Sequence, residues 1–249
     1  MHMNKHVLKG GNSNRVIKDA NTVVRKMGQS PRLVHALLQH LAAAGFTESP
    51  VLIETFGDQE RLSYIEGEVG NYPLKPYMQS AESLTEVARL LRRFHDVSRN
   101  FAIPFKLPAS DQASYEVICH NDFAPYNLVY QAGHVVGIID FDTAAPGTRV
   151  WDVAYAVYRF VPLTNDAHSV ACGWNPLPDR AARLRQFCDA YGLEVADRAK
   201  LIETVQERLK SLVAYMQVNN SNLEHIPLYM DDLAYLKDQQ DHLTQAITR

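Results

Sequence analysis

No stretch of the 249 residues approaches the ~20 consecutive apolar positions that a bilayer-spanning helix requires, so no membrane span is expected. The first residues are polar and charged and do not form an apolar core ahead of a small-residue cleavage site, so no secretory signal is expected there. Basic charge is not in excess. Lys and Arg number 25 against 28 Asp and Glu, a net charge of −3, which supplies no positive field of the kind that binding to nucleic acid needs. Cysteine is scarce: Cys119, Cys172 and Cys188 are odd in number and unclustered, which argues against a disulfide framework or a C-x-x-C metal site. Reduced thiols in a cytoplasmic protein are the expectation, and no internal repeat or low-complexity tract suggests an array.

What is present suits a folded protein with a small-molecule partner. Hydrophobic residues make up 46% of the chain, enough to bury a sizeable core in one two-lobed domain or two small ones. Up to Leu62 the pattern is short strands, one helix and more strands. Asn21 to Lys26 reads as a strand, and Ser30-Pro31 opens a helix through Ala44. Val51 to Glu54 and Arg61 to Ile65 read as strands joined at Gly57-Asp58. Residues 67–76, rich in Gly and Pro, form the expected linker between an N-terminal lobe (1–66) and a helical C-terminal lobe (77–249). Beyond it, Glu82 to Ser98, Asp152 to Phe160, Asp179 to Tyr191, Ala196 to Val218 and Leu228 to Ile247 have helical spacing. Two short strands are expected, around Leu128 to Tyr130 and Val135 to Ile139.

Chemistry concentrates in Val117 to Leu128 and Gly137 to Asp142, where polar and acidic groups end two apolar runs. Phosphoryl transfer to a hydroxyl needs a carboxylate beside the acceptor, oxygen ligands for Mg²⁺ and rigid elements holding both in line. His120, Asp122 and Asn127 keep the order and spacing of a kinase catalytic loop, and Asp140 follows at the end of a strand as a metal-binding carboxylate should.

Together, His120 to Asn127, Ile138 to Asp142, Gly147 to Ala154 and the helical Leu90 to His95 resemble the phosphotransferase family of aminoglycoside and choline kinases. His120 to Asn127 with Trp151-Asp152 and Arg159 to Leu163 is similar to its trifolitoxin-immunity-like subgroup. The resemblance implies an α+β, bilobal protein-kinase-like fold, ATP or GTP as donor, Mg²⁺, and a small-molecule hydroxyl as acceptor. Carried over, Asp122 is the catalytic base or orienter, with His120 as its scaffold. Asn127 and Asp140 are the metal ligands, and Asp152 anchors the catalytic loop. Ser63, Tyr64 and Ile65 lie on the connector that receives adenine, and Asn14 on the loop over the phosphates.

Arg25 stands where that family usually has a strand Lys, with Lys26 adjacent; side chains alternate along a strand, so Arg25 is the one expected at the phosphates. Its usual helical Glu partner has no counterpart, because Val34 and His35 occupy the expected place. Asp142 reads as a second metal ligand or a solvated cap, and Asp152 also as the N-cap of its helix. Glu224, Asp231 and Asp232 fall where relatives receive cationic acceptors, or on a solvated face. The missing Glu also motivates a rival from another class, a non-catalytic kinase-fold immunity or binding protein that sequesters a toxic peptide or drug. A metal-hydrolase cluster of His120, Asp122, Asp140 and Asp142 is a third reading, weakened by the scatter of the other histidines.

Overall fold

The computed structural model describes residues 5–8, 16–105 and 115–248. The expected phosphate loop at Gly10 to Asn14 lies outside the described residues, and Asn14 with it.

Strands β1 (Lys5–Leu8), β2 (Val16–Asp19), β3 (Thr22–Lys26), β4 (Leu52–Phe56) and β5 (Gln59–Ser63) form one antiparallel sheet in the order β1-β2-β3-β5-β4. The β4–β5 turn falls at Gly57-Asp58, where Gly57 takes φ 59°, a left-handed conformation that glycine adopts without a Cβ clash. Helix α1 (Pro31–Ala43) connects β3 to β4 and buries the stripe Leu33, Leu37, Leu38 and Leu41. Ser30 occupies the position before it but caps through its carbonyl, which accepts from the amides of Leu33 and Val34, and not through its hydroxyl. The β3–β5 register sets Arg25 directly opposite Glu60, so the two side chains share one face of the sheet.

The second lobe starts within the expected linker, because β6 (Glu68–Val69) already pairs with β8 (Leu128–Gln131), which pairs with β9 (His134–Ile138). A further two-stranded ribbon joins β7 (Val117–Cys119) to β10 (Ala145–Gly147). The helices are α2 (Ala81–Ser98), α3 (Arg149–Phe160), α4 (Asp166–Ala171), α5 (Arg180–Tyr191), α6 (Val195–Asn219) and α7 (Ile226–Thr248). Helix α2 opens at Ser80, whose hydroxyl accepts from the Ser83 amide, and buries Leu84, Val87, Leu91 and Phe94 at three- and four-residue intervals. It packs on α5, while α6 packs on α7 and α3.

Helix α3 is central: Val153, Ala154, Ala156 and Val157 are all fully buried. It begins three residues before Asp152, so that carboxylate sits inside the first turn and Thr148 takes the N-cap position expected of it. Strands β6, β7 and β10 and helix α4 were not expected, since elements of two to six residues carry too little periodicity to stand out. The architecture is the bilobal α+β arrangement, a small sheet lobe on a larger helical one. No helix among the described residues is long and apolar enough to cross a membrane.

Candidate active site

The loop leaving β7 is held by one buried carboxylate. Asp152 accepts from the amides of His120 (2.7 Å) and Asn121 (2.8 Å) and from Nε2 of His95 (3.0 Å), with no exposed surface of its own. Burial pushes the Asp152 carboxyl up, but the bonds from His95 and the loop outweigh it and leave it below the usual carboxylate value. Its partner His95 is held down by burial and so remains a neutral ring, donating from Nε2 while Nδ1 accepts from the Tyr191 hydroxyl at 2.7 Å. Asn121 takes φ 63°, turning the chain sharply so that Asp122 leaves the strand direction.

His120 is also fully buried. Its Nε2 donates to the Ile139 carbonyl at 3.0 Å, and Nδ1 accepts the Asp122 amide at 3.3 Å. The ring therefore ties the loop to the end of β9, a positioning role. Asp122 receives the Tyr126 hydroxyl on Oδ1 (2.7 Å) and the Asn127 amide nitrogen on Oδ2 (2.9 Å). Burial raises its carboxyl above the ordinary range, with the Tyr126 bond pulling the other way. Because Asn127 spends its nitrogen on Asp122, its Oδ1 is the ligand atom left to offer, and its carbonyl accepts from the Ile139 amide at 2.9 Å.

Asp140 follows Ile139 in a left-handed conformation (φ 64°, ψ 64°) that turns its carboxylate, 44% exposed, back toward the sheet lobe. Arg25 meets it there. The guanidinium donates from Nη1 to Asp140 (2.8 Å), from Nη2 to Asp142 (2.5 Å) and from Nε to Glu60 (2.7 Å). Glu60, on β5 and 1% exposed, also binds Nε2 of His35 on α1 at 2.6 Å. An acidic partner for Arg25 is thus present, correcting the expectation of a missing one: it comes from the neighbouring strand, and the helix contributes a histidine that holds it. Lys26 points outward, 65% exposed beside Asp58. Close approach here requires Gly28, where a Cβ would fall 2.7 Å from the Asp142 carboxylate carbon. Burial raises the Asp142 carboxyl although Arg25 opposes it.

Asp122, Asn127, Asp140 and Arg25 are therefore brought to one place, with Asp142 beside them. Asn127, Asp140 and Asp142 offer oxygen donors of the kind that suits a hard cation such as Mg²⁺ and no imidazole for zinc, with both aspartates held by Arg25. This weakens the hydrolase-cluster reading further, since the His120 ring is occupied on both nitrogens. Ser63 lies at the end of β5, where its hydroxyl accepts the Val51 amide, and Tyr64 donates its amide to Asn21. Ile65 packs where Gly137 leaves room for it. Asp232 is fully buried and spent on Tyr158, Asn165 and His168, so it is not free for a cationic acceptor; Asp231 and Glu224 are exposed. Sequence reasoning missed Glu60 and Tyr126, which hold Arg25 and Asp122. Only the alternation of β5, which puts Glu60 and Leu62 on one face, hinted at the first.

The phosphotransferase enzyme family profile matches residues 103–202. The trifolitoxin immunity protein of Rhizobium leguminosarum bv. trifolii is 31% identical over 205 residues, covering 79% of this chain and 77% of its own. A choline/ethanolamine kinase family protein from Mesorhizobium loti has a similar structure, with TM-score 0.65 and 15% identity over 98% of this chain and 92% of that one. The amicoumacin kinase hAmiN, solved with AMP-PNP, Ca²⁺ and Ami, matches with TM-score 0.65 and 11% identity, over 97% of this chain and 88% of its own. With the family profile matched and a curated relative at this level of identity, the chain belongs to the phosphotransferase enzyme family.

Proposed function

We propose that the protein transfers the terminal phosphoryl group of ATP or GTP to a hydroxyl of a small molecule, with Asp122 addressing that hydroxyl and Asn127 and Asp140 holding Mg²⁺. The observation that carries this reading is the junction of Arg25, Asp140, Asp142 and the Asp122–Asn127 loop, formed by elements of both lobes. Asp122 orients the hydroxyl and accepts its proton. Arg25, anchored through Nε by Glu60, holds Asp140 and Asp142 through its terminal nitrogens, and in the loaded protein would share them with the phosphate oxygens. Ser63, Tyr64 and Ile65 line the adenine connector, with Asn14 assigned to the phosphate loop. When bound, Mg²⁺ would offset the charge of the phosphates. His120 and Asp152 keep the geometry rigid, so that most of the rate comes from positioning and electrostatics.

Thermal-shift titration with Mg²⁺ and ATP or GTP tests the reading, since a ligand bound by the folded state alone must raise Tm. A Mg²⁺-dependent rise is expected. No rise at millimolar nucleotide would favour instead a non-catalytic binding protein, a second reading supported by the relative named as an immunity protein.

Two variants probe the parts. Glu60→Gln removes the charge that fixes Arg25 and His35; a hydrogen bond to a charged group is worth about 1.5–3 kcal/mol, so Mg-nucleotide Kd should rise roughly 10–100-fold. Calorimetry would measure it, and an unchanged Kd would remove Glu60 from the clamp. Tyr126→Phe deletes the hydroxyl that lowers the Asp122 carboxyl. Catalysis needs that carboxylate ionised, so activity falls as pH drops through its raised value, and the acid limb of kcat/KM should move to higher pH in the variant. A limb that stays in place would show that it belongs to another group.

A further inference from the structure

One cation of the sheet lobe stands between two carboxylates of the helical lobe. The Arg25 side chain is 10% exposed; its Nη1 donates to Asp140 Oδ1 (2.8 Å) and to Asp142 Oδ2 (3.3 Å), and its Nη2 to Asp142 Oδ1 (2.5 Å). Burial would lower its pKa, but Asp142, Asp140 and Glu60 outweigh burial and raise it, so the guanidinium stays charged. Both oxygens of Asp142 are spent on Arg25, whereas Asp140 has only Oδ1 bound and is 44% exposed.

The guanidinium is fixed away from Asp140 as well. Its Nε donates to Glu60 Oε1 (2.7 Å), and Nε2 of His35 binds the other oxygen of that carboxylate (2.6 Å). Asp142 is backed by Gly28, where a Cβ would fall 2.8 Å and 2.9 Å from its two oxygens. Glu60 and Asp142 therefore keep Arg25 in place whatever binds at Asp140. Only the planar fork of an arginine presents separate nitrogens to three carboxylates at once, since an ammonium is a point charge. A divalent ion arriving alone at Asp140 would compete with Nη1 and lie beside a positive charge that two other carboxylates hold. Nucleotide phosphates bring the negative charge that offsets both cations, and oxygens that can share Nη1.

We infer that Arg25 is a built-in counter-cation of the metal site, which excludes a bare divalent ion and admits one only together with a nucleoside triphosphate. The inference deepens the phosphotransfer reading and rests on its assignment of Asp140 as a metal ligand. Linkage makes the coupling reciprocal: metal and nucleotide each bind better in the presence of the other, and loss of the guanidinium weakens that coupling.

The test uses Mn²⁺ in place of Mg²⁺, because the paramagnetic resonance signal of the free ion falls as the ion binds. Mn²⁺ is titrated into the full chain without nucleotide, and AMP-PNP binding is then measured by calorimetry at fixed Mn²⁺. Arg25→Met should lower the Kd for bare Mn²⁺ roughly 10–100-fold while raising the Kd for AMP-PNP by a similar factor. A general loosening of the fold would weaken both ligands, so the opposite signs separate the two causes. Arg25→Lys keeps the charge without the fork and should fall between parent and Arg25→Met; it carries the test if Arg25→Met does not fold. Adding Asp140→Asn to either variant should remove the gained Mn²⁺ binding. Unchanged or weaker Mn²⁺ binding in the folded variant, or a gain that survives Asp140→Asn, would overturn the inference. If the parent binds no AMP-PNP with Mn²⁺ while the Arg25 variant still gains an ion site that depends on Asp140, the phosphotransfer reading fails and the exclusion of bare metal by Arg25 stands.

Discussion

Replacing Asp122 with Asn is expected to lower turnover by roughly 10²–10⁴-fold, the range that a positioned proton acceptor contributes, while Tm holds or rises. The two halves of this result have one cause. Burial raises the Asp122 carboxyl above its ordinary value, so the folded state binds that proton more tightly than the unfolded chain does. For a raised carboxylate the sign is the reverse of the usual acidic case: stability is greatest while the group is protonated and declines as pH rises through the folded value. Above its folded value the ionised Asp122 therefore destabilises the fold, and a neutral amide relieves that. Asn also preserves the local bonds, its Oδ1 accepting from Asn127 and its Nδ2 donating to the Tyr126 oxygen. A coupled nucleotide assay with scanning calorimetry on the same sample would check both. Turnover equal to the parent's would remove Asp122 from the chemistry.

Asp152→Ala should have the opposite profile, a large loss of stability. The substitution leaves the amides of His120 and Asn121 and the Nε2 of His95 buried without an acceptor. Breaking a buried charged network by removing one member costs about 3–5 kcal/mol, which for a chain of this size lowers Tm by roughly 6–20 °C. Asp152→Asn should not rescue it, because an amide nitrogen would confront one of those three donors. The pH dependence follows from the lowered carboxyl: its contribution is complete above the unfolded value and is lost as pH falls through the folded one. Urea melts at several pH values should show that acid sensitivity in the parent and less of it in Asp152→Ala. A variant as stable as the parent would mean that water replaces the carboxylate without cost.

These two aspartates mark how far local sequence reaches. The spacing of His120, Asp122 and Asn127, the hairpin leading to Asp140 and the apolar period of α2 are all set within a few residues, where covalent geometry and helical or strand repeats leave little choice. The kinase-like, two-lobed fold followed from the family resemblance that these motifs carry. The role of Asp152 was legible only through resemblance, since an acidic residue near a helix start also reads as a cap. That ambiguity ended when Thr148 took the cap position and α3 aimed Asp152 at the loop.

Glu60 was out of reach because its partnership with Arg25 depends on the pairing of β3 with β5, and a slip of one residue would send either side chain to the other face. The cluster of Arg159 with Tyr72, Tyr126, Tyr158 and Trp174 draws on segments up to about a hundred residues apart, and nothing in the chain itself joins them. Short-range spacing decided where the candidate carboxylates stand and which elements carry them. Strand register and helix packing decided which charge anchors Arg25 and which aromatic rings surround Arg159, because those contacts exist only once distant surfaces have closed on one another.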